Sequence, residues 1–181
     1  MRTYSEAIWN ALGLNTYIYL IDLGNGSILD DEVYQKVFCG FYKVRRNKDN
    51  WIKPYFEIFK DAYKNKKHLN TQSFQKYFDM VQQRCVHGGK NQEEASFVSK
   101  MLHTIKPSFF PIFDSRVKKA LSIPENVKNI EAYKIMCKKY KNMIASSDFK
   151  KEKKAILSLL SKYKKTNKLS NYKILDILHY F

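Results

Sequence analysis

Asp114 is the residue whose surroundings raise the sharpest chemical question. It follows Phe109-Phe110-Pro111-Ile112-Phe113 and precedes Ser115-Arg116-Val117. A connection that apolar belongs beneath the surface, so it delivers the acid from the core side. An ionised carboxylate beside apolar surface is costly unless it is paired or used. The residues leave both outcomes open: Asp114 (or Ser115) as the N-cap of the next helix, or Asp114 as a working acid. Lys100, Arg116 and Lys118 are candidate cationic partners on the helices before and after it. Further off, Arg45-Arg46 forms a basic connection between two aromatics, Tyr42 and Trp51, and Gly88-Gly89 runs into Lys90. His68, His87, His103 and His179 show no ligand spacing, so no metal site and no cofactor are expected. Cys39, Cys85 and Cys137 are odd in number and widely spaced, with no CxxC. They read as small buried hydrophobes in a reduced compartment.

The elements that must position these groups read as helices. The chain has only 6 Gly and 4 Pro, which suits helices joined by short connections. A helical pattern runs through 4–23, broken by Gly24-Asn25-Gly26. Asp30-Asp31-Glu32 seeds a second helix, with Val33, Val37, Phe38 and Phe41 expected inward. Asp49 caps a third, carrying Trp51, Tyr55, Ile58 and Phe59. Thr71 or Ser73 opens a fourth, with Phe74, Tyr77, Phe78 and Val81 on one stripe. A fifth spans about 92–104 and ends before Pro107. The helix after Asp114 turns Val117, Ala120 and Leu121 inward. Three more are expected near 125–144, 147–164 and 170–180. Strands compete weakly, at 17–23 and 109–113. The fold class is therefore all-α: one compact multi-helix unit over 1–181 with no clear linker, open to division into two helical parts around a cleft.

The chain carries 33 Lys+Arg against 17 Asp+Glu, a net charge of +16 over 181 residues, with 44% hydrophobic residues. That excess opposes compaction and is commonly used to attract a polyanion. DNA is the expected partner, with RNA as the alternative. The lysine-rich stretch from Lys134 to Lys168 reads as a folded basic wall. Met1–Glu6 opens no signal-peptide pattern and no apolar run approaches a membrane span. A soluble, cytoplasmic protein is expected; oligomeric state is left open.

The segment around Asp114 resembles the helix-hairpin-helix DNA glycosylases, the endonuclease III and 8-oxoguanine DNA glycosylase group. His87-Gly88-Gly89-Lys90 is similar to the hairpin turn, Glu94-Ala95-Ser96 to the start of the following helix, and Pro111-Ile112-Phe113-Asp114 to the strip bearing the catalytic aspartate. The resemblance covers about residues 86–121. It implies a helical fold with a cleft and a hydrolase acting on the N-glycosidic bond of a modified or damaged base flipped out of the duplex. It also implies Asp114 as the carboxylate that stabilises positive charge on the sugar and activates water, with Lys100 tuning it. Gly88, Gly89, Lys90, Arg45, Arg46, Arg116 and Lys118 would contact phosphates, and Tyr42 and Trp51 would stack on a base. Glu93 stands where lyase-active members carry a lysine, so the implied enzyme is monofunctional, in repair or in defence against phage DNA. Two rivals remain: a helical nucleic-acid-binding protein without catalysis, and an interaction module whose charge meets an acidic protein.

Overall fold

The structure, a computed structural model, describes residues 13–24, 27–44, 46, 48–85, 94–161, 163 and 165–179. Every regular element among them is helical: α1 (Leu14–Leu23), α2 (Glu32–Phe41), α3 (Lys53–Lys64), α4 (Ser73–Arg84), α5 (Ala95–Ile105), α6 (Ser115–Ala120), α7 (Asn129–Ala145), α8 (Ser147–Leu159) and α9 (Asn171–Leu178), with short 3-10 turns and one π turn at Lys48–Ile52. The expected all-α class is the observed one. The segments 17–23 and 109–113, where strands competed, are helix and irregular chain. No helix among the described residues is long and apolar enough to cross a membrane.

Local chemistry explains most boundaries. Gly13 precedes α1 at φ +56°, a left-handed conformation that glycine adopts without strain. Asp31 caps α2 by accepting from the Tyr34 amide at 2.9 Å. Pro54 sits in the first turn of α3, where its missing N–H costs nothing. Ser146 and Ser170 cap α8 and α9.

One contiguous apolar core runs from Leu14 to Ile177. α3 is its most aromatic contributor. Tyr55, Phe56 and Phe59 surround Phe38 of α2 at ring-centroid distances of 6.0, 5.6 and 5.4 Å. α5 is the hub, packing on α1, α3, α4 and α7. The α2 face differs from expectation. Val33 is 63% exposed, and Tyr34 and Phe38 are the fully buried pair. The Tyr34 hydroxyl donates to Leu20 O at 3.1 Å, which rotates this helix toward α1. At the far end of α1, Asp22 pairs with Lys168 and Lys165, which hold its carboxyl below its ordinary value.

Candidate active site

Asp114 is set in place by two polar side chains on the inner face of α5. Ser99 and His103 are four residues apart, hence neighbours on one side of the helix, and both are 0% exposed. The Phe113 amide donates to Ser99 Oγ at 2.9 Å, and Ser99 Oγ donates to Ser96 O at 2.7 Å. His103 Nδ1 lies 2.6 Å from Phe110 O. A carbonyl only accepts, so Nδ1 carries the proton and Nε2 accepts from the Tyr17 hydroxyl 2.9 Å away. Burial lowers the pKa of His103 to about 4, which leaves the imidazole neutral near pH 7. The strip from Phe110 to Phe113 is fastened to α5 at both ends, and Asp114 emerges where it leaves.

Asp114 is half-buried at the start of α6. Its Oδ1 accepts from the Val117 amide at 3.0 Å, so the capping role is present. Its other carboxylate oxygen accepts no hydrogen bond among the described residues. The side chain lies on the wall of a cavity of about 640 Å³, together with Ser96, Lys118, Lys119, Ser122 and Asn129. That volume falls within the ordinary range for small-molecule sites, roughly 300–1,000 Å³.

Lys100 lies one turn after Ser96, half-buried between aromatic rings, with Nζ 5.0 Å from the Phe97 centroid and 5.7 Å from that of Tyr42. Burial lowers its pKa; Asp114, Asp176 and Glu94 are close enough to oppose that shift. The two residues expected to act together, Asp114 and Lys100, are therefore within electrostatic reach of each other. Asp176 and Tyr140 join them unannounced by the sequence. Asp176 is held by Lys173, itself only 4% exposed. The Tyr140 hydroxyl is buried without a hydrogen-bond partner among the described residues, and its ionisation is opposed by burial first and then by Asp176 and Asp114. The i, i+4 spacing of Ser99 and His103 on an otherwise apolar helix face was the readable sign of the strip's anchorage.

Other expected site residues fall differently. Trp51 is 0% exposed and stacks on Tyr55, with centroids 4.8 Å apart, and Tyr42 is 8% exposed beside Phe38. Neither offers a face to a base; both are core, correcting the stacking expectation. Arg46 was expected on phosphate. Its Nη2 instead bonds Glu94 at 3.2 Å, a carboxylate only 5% exposed, because a buried acid requires a cation. The Lys118 ammonium places two of its donors on the backbone carbonyls of Glu125 and Val127, at 2.9 and 3.1 Å, and so holds the turn beside the cavity. Arg116 is exposed on the first turn of α6. Arg45, Gly88, Gly89 and Lys90, including the expected hairpin, lie outside the described residues. The cysteines are unbridged, and burial raises the thiol of Cys85 to about 12 and those of Cys39 and Cys137 to about 11.

Charge is unevenly matched. Around α2, α3 and α4, cations meet acids: Lys36 and Lys48 with Glu32, Lys53 with Asp49, Lys60 with Asp30, Arg84 with Glu57. On α7 and α8, Lys138, Lys139, Lys141, Lys150, Lys151 and Lys154 are exposed, and none is in an ion pair among the described residues. No protein-family model, no curated protein and no solved structure matches the chain.

Proposed function

We propose that this protein is a monofunctional DNA glycosylase-like enzyme, in which Asp114 supports hydrolysis of the bond between a modified base and its sugar. One observation carries the reading: a half-buried carboxylate with one oxygen spent on a helix cap and the other left over, on the wall of a cavity large enough for a nucleoside. In the reaction, the glycosidic C–N bond breaks and positive charge develops on the sugar. The departing base takes the electron pair of the broken bond and a proton from solvent, while the Asp114 carboxylate stabilises the charge on the sugar and takes a proton from the water whose oxygen bonds to the sugar carbon. Lys100 lies within electrostatic reach of the carboxylate, and Lys119 on the cavity wall faces the phosphates. The base must be extruded to reach this point.

Asp114→Asn is the discriminating variant, because asparagine caps a helix as well as aspartate does. Wild type incubated with duplexes carrying different modified bases should generate abasic sites. Asp114→Asn should lower that rate by at least about a hundredfold. Base release that survives the change would remove Asp114 from the mechanism. A second reading, nucleic-acid binding without catalysis, is favoured by the unmatched lysines of α7 and α8. It predicts salt-sensitive binding with no base release from any substrate.

A further inference from the structure

A second cavity adjoins the start of the strip that delivers Asp114, lined by Phe109 and Phe110 where the first is lined by Phe113 and Asp114. Asn129 lines the Asp114 cavity, and its neighbour Ile130 lines the second, a groove of about 280 Å³ between α4 and α7. The groove's floor is aromatic. Phe74 and Tyr133 stack with centroids 3.6 Å apart and planes 6° apart, and Phe110 adjoins them. Phe109 stands at its edge, 38% exposed, with the Lys106 ammonium 4.7 Å from its ring centre. The Tyr133 hydroxyl is buried in that floor and, among the described residues, has no hydrogen-bond partner beyond the weakly interacting Cys137 thiol.

The rim is cationic. Lys134, Lys138 and Lys141 of α7 all line the groove, all are exposed, and no acid lines it among the described residues. Steps of four and three residues put them on one side of the helix, spread over about 10 Å at 1.5 Å per residue. An apolar slot alone would accept any hydrophobe. An apolar groove with an exposed ring at its edge and a row of unmatched cations along its rim asks for rings joined to repeated anions. Single-stranded nucleic acid has that chemistry. A duplex does not, since its bases are stacked inside it. We infer that the α4–α7 groove is a subsite for single-stranded nucleic acid, holding one unstacked base against the exposed Phe109 ring, with neighbouring phosphates on Lys134, Lys138 and Lys141. The inference rests on nucleic acid being the partner and not on Asp114 acting as a catalyst.

The test is fluorescence anisotropy with a labelled oligothymidylate and a duplex of equal length, using full-length protein. Phe109→Ala removes an exposed ring and leaves the core intact. It should weaken single-strand binding about tenfold and leave duplex binding unchanged. Replacing Lys134, Lys138 and Lys141 together by Ala should reduce the salt slope of single-strand binding by about 2. Asp114→Asn should bind the single strand like wild type, which separates this subsite from the fate of the enzyme reading. Unchanged single-strand affinity in both groove variants would overturn the inference, as would equal losses for duplex and single strand. Laurate binding that Phe109→Ala abolishes, with oligonucleotide affinity unmoved, would assign the groove to an amphiphile and overturn it too.

Discussion

Ser99 and His103 on α5 face inward and are bonded at fixed distances to the strip that carries Asp114. Lys138, Lys139 and Lys141 of α7 and Lys150, Lys151 and Lys154 of α8 face outward, and among the described residues no acid holds them. The same chain thus uses polar groups in two ways. Buried hydrogen bonds set positions to within a fraction of an ångström and are indifferent to salt. Exposed charges set up a field that attracts from about a Debye length, roughly 8–10 Å, and fades as salt rises. Net charge alone does not distinguish the two uses; burial and partners do.

Acid is the harshest way to break the inner half of this comparison. The buried His103 takes a proton only near pH 4, whereas in the unfolded chain it titrates near its ordinary value of 6.5. Protons therefore favour the unfolded chain. The stability tied to His103 is complete above about pH 6.5 and is lost as pH falls toward 4. The slope is on the order of 1 kcal/mol per pH unit, about 3 kcal/mol in all. Burial also depresses half-buried His179, which adds a smaller slope of the same sign. Urea melts at pH 7, 5.5 and 4.5 should show the decline, and His103→Gln should flatten most of it.

Ser99→Ala should come next. It leaves the buried Phe113 amide without its acceptor, a loss of about 1–3 kcal/mol in a thermal or urea melt. It should also lower any base release, because Asp114 is the next residue along the strip. Stability loss with catalysis untouched would show that the tie holds the fold without aiming the carboxylate.

The outer half should respond to salt instead. Replacing Lys150, Lys151 and Lys154 by Ala should weaken duplex binding at least about tenfold near physiological salt. The salt slope should become shallower by up to about 2.7, with the melting temperature little changed. Replacing Lys36, Lys48 and Lys53, which already face acids, should do much less. Equal losses from the two sets would erase the difference between matched and unmatched lysines.

How much of this was legible in the sequence depended on whether the deciding partner was nearby. The stripe Phe74, Tyr77, Phe78 and Val81 is buried as its period requires, and the apolar run before Asp114 lies inside from Phe110 to Phe113, with Phe109 exposed at its start. Helix caps at Asp31 and Asp114 are contacts three residues long. The failures were decided at long range. Arg46 reads as a surface cation until Glu94, 48 residues away, proves to be buried against it. Tyr42 and Trp51 sit in a basic stretch that suggests nucleic acid, yet Phe38 and Tyr55 claim their rings. Val33 and Tyr34 offered α2 two apolar faces, and the bond from Tyr34 to Leu20 O chose between them. Asp176 and Tyr140 reach the neighbourhood of Asp114 from two C-terminal helices that no local pattern connects to it.

The central claim is that Asp114 has a chemical duty beyond capping α6. Wild type, Asp114→Asn and Asp114→Ala, compared for thermal stability and for abasic-site formation on one cleaved substrate, separate the two duties. Asn should keep the melting temperature and Ala should lower stability by about 1 kcal/mol, while both should lose base release. Base release that tracks stability, retained in Asn and reduced only in Ala, would contradict that claim.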